Sequence, residues 1–308
     1  MSYTVVDVQP DTDEWLQERR SSVGASEVAA VMGLSQWATP LDVYKSKHGV
    51  DRPFDPLIAL LGHEAERTLS RWLVELSGLN PDLSPGFMAR SVEHPFIHAT
   101  PDRMWGDIPV QIKTAHEFTS HKWDEGIPTE YRVQVQTEML VLGAPRALLV
   151  VQIGARDVRA IWESRDDRFI LEHLIPTVME FWGRVEAHEP PPPSTVAEIA
   201  EAYPSEAIEV ELSDEAFDVL ERITVLNSDI QAQEAERDAL KVALAGYVET
   251  ADTLFHGGQK VATWKSQKGR AGFDQKRFRE DHPELAAEYV TQGAPFKVLR
   301  AVKQKEKK

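Results

Sequence analysis

Residues 98–114 have the sequence HATPDRMWGDIPVQIKT, which is the most informative stretch of the chain. Two short apolar runs flank a Gly-Asp turn, which predicts a β-hairpin that begins just after Asp102. Gln111 and Lys113 are two positions apart on the second strand, so their side chains share one face of the sheet. The stretch therefore predicts that a carboxylate, an amide and an amine meet beside one hairpin.

This grouping is close to the one that divalent-metal nucleases use. In such a site an Asp and a second acidic residue hold Mg²⁺, a hard cation that prefers oxygen ligands. A neighbouring Lys orients or deprotonates the attacking water and stabilises charge on the phosphate. The carbonyl of Ile112 would join the ligands if a bulge turned it toward the metal. Because ordinary hairpins carry such a pattern by chance, other segments have to decide the function.

The segments around the hairpin alternate between helix and strand signals. Apolar periodicity and capping residues predict helices at residues 13–20, 27–32, 40–47, 57–76, 128–142 and 166–187. β-type runs predict strands at residues 86–91, 97–99, 103–105, 109–113, 147–153 and 158–163. We expect Ser26 to cap the second helix and Pro176 to disturb the sixth. This order predicts an α/β (α+β) fold in which a central mixed sheet is flanked by helices.

Four consecutive prolines, at residues 190–193, mark the clearest boundary of the chain. Such a run does not fit inside a helix or a central strand, and it favours a stiff polyproline II spacer. We therefore expect a domain at residues 1–190, a linker at 191–210 and an extension at 211–308.

The extension begins with a heptad pattern of apolar residues from Leu212 onward, which predicts one long helix from Ser213 to Thr250. Such a helix forms a coiled coil or lies with its apolar face on the core, and the pattern allows both. After this helix we expect a hairpin at residues 253–265, a helical piece and a final strand at residues 296–302.

The composition excludes several classes of protein. The 308 residues include 42% hydrophobic residues, which is enough for a folded core, and no cysteine, which excludes disulfides, thiol catalysis and Cys-ligated metals. The net charge of −16 excludes a protein that binds nucleic acid through a globally basic surface. The composition still allows a local basic face, because residues 251–308 carry 13 basic and 7 acidic residues. This segment would bind phosphates or pair with the acidic segment at residues 201–250.

Neither end nor middle of the chain has the pattern of a membrane segment. The stretch from Met1 to Asp13 is polar and acidic, unlike a signal peptide. The longest uncharged apolar run, Ala147 to Ala155, is too short to cross a bilayer. We therefore expect no membrane partner.

The hairpin motif and three further segments resemble the YqaJ-type phage recombinase nucleases, a group that includes lambda exonuclease and lies within the PD-(D/E)xK nuclease superfamily. The hairpin motif is Thr100-Pro101-Asp102 followed by Gln111-Ile112-Lys113. The others are WLQERRSSVGASEV at residues 15–28, GHEAE at 62–66 and YRVQVQ at 131–136. Each motif alone is modest, but the four occur in the family's order. The resemblance covers about residues 10–190.

The resemblance implies a role for each matching residue. Lys113 would position or activate the water, and Gln134 would contact that water or the phosphate. The metal ligands would be Asp102, Gln111, the carbonyl of Ile112 and Glu66. The residues that grip a 5′-terminal phosphate would be Arg19, Ser26 and Thr100. A guanidinium with hydroxyl donors suits a phosphate, and Ser26 at a helix N-terminus would add backbone N–H groups.

One position departs from the family's pattern. Gln111 stands where the family has Glu, and an amide oxygen can ligate a cation but brings no negative charge to it. The chain is either an engineered, silenced variant or a protein whose site is naturally inactive or altered. The first explanation is the one that we expect.

Several of these residues also have a simpler interpretation. Ser26 could serve only as a helix cap, and Glu66 could pair with Arg67 at the surface. Gln134 and Gln136 could be surface amides. Arg20 competes with Arg19 as the phosphate ligand, although the register of the motif favours Arg19.

The resemblance implies a Mg²⁺-dependent 5′→3′ exonuclease, with Mn²⁺ as a substitute metal. It would act on the ends of linear double-stranded DNA and leave 3′ single-stranded tails for phage recombination. It would form a homo-oligomeric ring, partner a single-strand annealing protein, and work in the cytoplasm of a bacterium as a phage or prophage protein. Two alternatives remain: an inactive protein that binds DNA ends or acts as a scaffold, and a restriction-type or repair endonuclease.

Overall fold

The computed structural model describes residues 2–9, 12–51, 55–206, 208–293 and 296–302. The chain divides into two units, residues 1–198 and 199–308. This division falls inside the range of the predicted linker, while the predicted domain limits stay a prediction. Pro191 is buried, and the proline run borders a cavity together with Val31 and Phe181 of the first unit. The start of the run thus packs its rings on the first unit.

Helices of the first unit match the periodic segments of the sequence. They are α1 Asp13–Arg20, α2 Ala25–Val31, α3 Pro40–Lys47, α4 Pro56–Glu75, α5 Thr129–Leu142, α6 Asp167–Phe169 and α7 Ile175–Glu186, with short 3₁₀ helices at Glu117–Trp123 and Val196–Glu198. A π-helical turn at Ile170–Leu174 joins α6 to α7. Pro176 has no N–H for the preceding turn, which explains why the expected disturbance lies just before it.

Two mixed sheets accompany these helices. The strands are β1 Tyr3–Val6, β2 Val23–Gly24, β3 Leu83–Pro85, β4 Met88–Ser91, β5 Ile97–Ala99, β6 Arg103–Trp105, β7 Ile108–Ala115, β8 Arg146–Ile153 and β9 Asp157–Ser164. The larger sheet has the order β3-β6-β7-β8-β9, and the smaller one β1-β4-β5-β2. In each sheet one pair is parallel, β7 with β8 and β2 with β5. The predicted mixed sheet flanked by helices is therefore confirmed.

Helix α5 connects the parallel strands β7 and β8 and packs against strands of both sheets. Every residue from Val133 to Leu142 is buried, as is typical of a helix that is covered on all sides. The opposite face of β7 and β8 is covered by α4, where Leu69 and Leu73 contact Val110 and Ile112. Strand β7 is thus enclosed on both faces, and Gln111 and Lys113 alternate with the residues that face α4.

The prediction that Ser26 caps a helix is wrong. Helix α2 begins at Ala25, and Gly24 occupies the cap position, where its N–H donates to Oε2 of Glu27 at 2.7 Å. Ser26 is therefore inside the first turn. The sequence also did not reveal β1, β2 and β3, because strands of two to four residues are too short for an alternating pattern.

The second unit contains α8 Ile199–Ala202, α9 Asp214–Val248, the hairpin strands β10 Thr253–His256 and β11 Gln259–Thr263, and the helices α10 Gln275–Asp281 and α11 Pro283–Glu288. The long predicted helix is confirmed as α9, which is capped by Ser213 and buries none of its residues. The predicted strand at residues 296–302 is wrong. Among the described residues β10 and β11 pair only with each other, so residues 296–302 add no third strand to this hairpin.

Within the described part of the chain, no helix has the length and apolar character to cross a membrane. The basic run at Lys303–Lys308 lies outside the described residues.

Candidate functional site

A cavity of about 400 Å³ opens in the first unit where α1, α2, α4, α5, β5 and β7 approach one another. It brings together residues that are far apart in sequence. Predicted site residues that line it are Arg19, Ser26, Glu66, Thr100, Asp102, Lys113 and Gln134. The two remaining predicted residues, Gln111 and Ile112, are buried in β7 beside them.

Asp102 is positioned by the backbone of β7. Strand β6 pairs with β7 only from Arg103 to Trp105, so Ile112 has no partner in β6, and its N–H donates instead to Oδ2 of Asp102 at 2.7 Å. The N–H and C=O of a strand residue point to the same edge, so the Ile112 carbonyl also faces Asp102. This orientation does not depend on a bulge, because β7 pairs with β8 in unbroken register.

Gln111 and Lys113 interact on the face of β7 that α5 covers. Nζ of Lys113 donates to Oε1 of Gln111 at 3.1 Å, and Nε2 of Gln111 lies 3.5 Å from the carbonyl of Thr100. Lys113 also lies 5.9 Å from the centre of the Tyr131 ring. The Gln111 side chain is 1% exposed and has no room for bulk water around it.

The carboxyl of Glu138 is a member of the site that sequence reasoning missed. It is 0% exposed, and Gln134 one helical turn away donates Nε2 to its Oε1 at 3.0 Å. Burial and the negative charge of Asp102 raise the pKa of Glu138 to about 8, against lowering by Lys113 and by hydrogen bonds from Gln134 and Gln111. The available signal was an acidic residue four positions after a motif glutamine, which places both side chains on one face of the helix.

Glu66 reaches the cavity from α4. Its Oε2 lies 3.7 Å from Arg103, and burial together with the charge of Asp102 raises its pKa. Burial likewise raises the pKa of Asp102, although Lys113 opposes this. The alternative pairing of Glu66 with Arg67 is wrong, because Arg67 contacts Glu64 at 2.6 Å.

Arg19 also lines the cavity and is held in place. Its guanidinium is 4.7 Å from the centre of the Trp15 ring and 3.7 Å from Oε1 of Glu27. Glu27 in turn accepts from the buried Lys47 at 2.6 Å. Because Lys47 also donates to the carbonyl of Arg19, at 2.7 Å, backbone and side chain of this residue are both anchored.

Arg20, the competing phosphate ligand, points elsewhere and pairs with Asp51 at 2.5 Å. Ser26 is exposed at the cavity, and Thr100 lines it from the loop that precedes Asp102. The arrangement therefore puts one guanidinium and two hydroxyls on the same side.

The glutamines of the YRVQVQ motif are not surface amides, because Gln134 and Gln136 are both buried. Gln134 lines the cavity, whereas Gln136 donates to Glu163 at 2.9 Å and to the Ser164 carbonyl at 2.8 Å. Gln136 thus ties α5 to the end of β9 and stands apart from the cavity.

Two histidines in the cavity wall were also missed. His63 lies on α4, and His98 is buried in β5, where Nδ1 is 2.8 Å from Oγ of Ser22. Burial lowers the pKa of His98 well below its ordinary value, so this imidazole is neutral. A single histidine in a short strand has no sequence signal that separates this position from a core packing role.

The oxygen atoms around Asp102 suit a hard cation such as Mg²⁺. They belong to the carboxylates of Asp102 and Glu66, the amide of Gln111 and the carbonyl of Ile112. No group of three or more His, Cys, Asp or Glu side chains in the described ranges is arranged to hold a metal alone. A cation would therefore need the carbonyl oxygens. Glu138 itself does not line the cavity, but its buried Oε2 has no hydrogen-bond partner among the described residues.

Known proteins resemble this chain over the same region. Residues 14–145 match the family model of the YqaJ-like viral recombinase domain. The chain is 26% identical over 289 residues to the uncharacterized protein YqaJ of Bacillus subtilis (strain 168), a match that covers 89% of each protein.

Among solved structures, the alkaline exonuclease LHK-Exo of Laribacter hongkongensis aligns at 23% identity with a TM-score of 0.47, over 57% of this chain and 94% of that one. A phage related exonuclease from Haemophilus somnus 129PT aligns at 14% identity with a TM-score of 0.40, over 54% of this chain and 96% of the other. The region that matches this family model, residues 14–145, contains all four motifs and every residue that lines the cavity.

Proposed function

We propose that the chain is a Mg²⁺-dependent exonuclease that digests linear double-stranded DNA from its 5′ end. The observation that carries this proposal is that Asp102, Lys113 and Arg19 line the same cavity. Asp102 and Lys113 offer an oxygen ligand and an amine, as phosphodiester hydrolysis requires. Arg19, Ser26 and Thr100 offer a guanidinium and hydroxyls, as a terminal phosphate requires.

Different residues of the cavity would bind the cation, orient the attacking water and contact the phosphate. Mg²⁺, with Mn²⁺ as a substitute, would be held by Asp102, Gln111, Ile112 and Glu66 and would neutralise charge on the phosphate while making water more acidic. Lys113, anchored at 3.1 Å to Gln111, orients the attacking water and stabilises charge on the phosphate oxygens. Gln134 in the same wall holds that water or the phosphate.

The clamp of Arg19, Ser26 and Thr100 would set the direction of digestion, because only one strand at each duplex end presents a 5′-phosphate. Removal of that strand leaves a 3′ single-stranded tail. Such tails are substrates for a single-strand annealing protein, which we propose as the partner. A homo-oligomeric ring around the DNA and a cytoplasmic site of action in the host complete the proposal.

The second candidate is a protein that binds DNA ends without cleaving them, and Gln111 is the observation that favours it. An amide adds no charge to the cation, so cation affinity and turnover would be weakened or lost.

The deciding experiment compares the native chain with Asp102→Asn and Gln111→Glu on linear duplexes with and without a 5′-phosphate, and on closed circles, in Mg²⁺. We expect the native chain to digest linear DNA, to prefer the 5′-phosphate and to ignore circles, and Asp102→Asn to be inactive. Digestion by Gln111→Glu alone would support the end-binding candidate. Inactivity of all folded forms would refute the nuclease, and cleavage of circles would point to an endonuclease.

A further inference from the structure

The buried carboxyl of Glu138 has no part in the family's motifs and does not line the cavity, yet Asp102, Gln111 and Lys113 are its neighbours. We infer that Glu138 supplies the second carboxylate of that site from helix α5, in place of the acidic residue that Gln111 replaces on strand β7. This inference rests on the proposed nuclease function and concerns how this chain completes its metal site.

The first argument is the state of the Glu138 side chain. It is fully buried, one oxygen accepts from Gln134 at 3.0 Å, and the other has no hydrogen-bond partner among the described residues. A buried carboxylate oxygen without a partner is costly and rare, so this atom requires an explanation. A divalent cation is the ligand that an otherwise unpartnered carboxylate oxygen suits best.

The second argument is position. Helix α5 covers the face of β7 from which Gln111 and Lys113 project. Gln134, one turn before Glu138, lines the cavity, and the amide of Gln111 lies close enough to Glu138 to form a hydrogen bond. Asp102 and Lys113 also lie within electrostatic range of this carboxyl. Glu138 therefore shares its neighbours with the predicted metal ligands.

The third argument is complementarity between positions 111 and 138. With Glu at both positions, two carboxylates would meet in a buried space, where like charges repel strongly. With Gln at 111, the amide lies next to Glu138, while its oxygen accepts from Lys113 at 3.1 Å. Once a cation displaces the Glu138 proton, the pair carries one negative charge, the same as a site with Glu on the strand and a neutral residue on the helix. Gln111 then fits its surroundings, and an engineered origin is not needed to explain it.

The test measures Mn²⁺ binding to the full-length chain by electron paramagnetic resonance and calorimetry, without DNA or turnover. Glu138→Gln should weaken Mn²⁺ binding at least tenfold, and Asp102→Asn should do the same. The exchanged pair, Gln111→Glu with Glu138→Gln, should bind within about threefold of the native chain. The matched control is Glu163→Gln, since Glu163 also accepts from a glutamine of α5 but lies at the end of β9, and its binding should not change.

Native affinity in folded Glu138→Gln, together with loss in Asp102→Asn, would overturn this inference and leave the proposed nuclease intact. A native chain that binds no Mn²⁺ would overturn both. If the Glu138→Gln variant alone shows no cooperative thermal transition, it is not folded and its Mn²⁺ binding cannot be compared. The exchanged pair then provides the test of the inference, because it keeps one carboxyl and one amide between β7 and α5. A folded exchanged pair that binds no Mn²⁺ would contradict the inference.

Discussion

Arg19 and Arg20 are adjacent in sequence, but the structure gives them different surroundings. Arg19 stacks over Trp15 and lines the cavity, whereas Arg20 pairs with Asp51. An arginine held in advance by an aromatic ring loses little side-chain entropy when it binds a phosphate, so its contribution to binding is large. At the residue scale, the two neighbours therefore form a natural pair of test and control.

We predict that Arg19→Ala removes the preference for 5′-phosphorylated ends by at least tenfold, which corresponds to about 1.4 kcal/mol. Arg20→Ala should keep that preference. The measurement is the ratio of initial digestion rates, or of binding affinities, for matched duplexes with 5′-phosphate and 5′-hydroxyl. Equal losses in the two variants would show that Arg19 has no special contact with the phosphate.

The raised pKa of Glu138 predicts how the stability of the chain depends on pH when EDTA removes divalent cations. The pKa of this carboxyl is raised from 4.5 to about 8 in the folded chain, so the folded state holds a proton that the unfolded state has released. Stability therefore falls as pH rises from about 4.5 to about 8. Relative to the native chain, Glu138→Gln should gain stability over this window, by up to about 1.4 kcal/mol for each pH unit. Urea unfolding at pH 5, 6.5 and 8 measures the difference, and one that is independent of pH would contradict the raised pKa.

The sequence revealed the site residues that lie within one local motif, but it did not reveal those that reach the site through packing of distant elements. Asp102, Gln111 and Lys113 lie within one hairpin, where strand alternation alone places two of them on one face. Glu138 and His98 come to the site through packing of α5 and β5, and no local pattern reports such contacts. Gln111 itself was identified, but its partner was not, because their contact spans two elements.

At the scale of elements, the approach of β3 and its following loop to the Asp102 loop depends on one glycine. The N–H of Gly86 donates to the carbonyl of Asp102 at 3.3 Å, and a Cβ at this position would overlap the carbonyl oxygen of Pro101. The backbone segments beside Asp102 can approach this closely only without a side chain.

We predict that Gly86→Ala lowers the free energy of unfolding by about 2 kcal/mol or more, because backbone must move to admit the methyl group. The matched control is Gly183→Ala in α7, where a Cβ meets no atom within 4 Å. That substitution should raise stability by up to about 1 kcal/mol, as expected for Gly to Ala in a helix. Urea unfolding measures both, and a neutral Gly86→Ala would show that the loop adjusts freely.

Several element boundaries followed the sequence where a periodic face or a cap marked them, but the start of α2 did not, because Gly24 and not Ser26 is its cap. Helix α1 spans the predicted residues Asp13–Arg20, and α5 ends at Leu142 because Gly143 takes a left-handed conformation with φ of 70°. The short strands were missed because each is stabilised by a partner distant in sequence, as β1 is by β4. These short strands form only because they pair with segments that are distant in sequence, and a short stretch of sequence carries no information about that pairing.

At the scale of the whole molecule, the described residues between α8 and α9 are without helix or strand. Tyr203, Ile208 and Val210 are among the exposed residues in this stretch. The proline run upstream is different, because Pro191 is buried in the first unit. Open backbone without hydrogen-bonded structure is where proteases cut first.

We predict that a glutamate-specific protease cleaves first after Glu206, Glu209 or Glu211, and only later within residues 13–189. The expected product is a resistant fragment that contains residues 14–145, the region that matches the YqaJ-like family model. Mass spectrometry of a time course identifies the first cut. Early cleavage inside α5 or β7 would contradict the enclosed packing that is described for them.

The fluorescence of Trp15 reports on ligand binding in the cavity. The indole lies beneath the guanidinium of Arg19, so a ligand phosphate that draws Arg19 away changes the polarity around the ring and with it the fluorescence emission. Occupancy of the phosphate end can thus be followed in the unlabelled chain, even in a variant that cleaves nothing. A Trp15→Phe chain supplies the background from the remaining tryptophans.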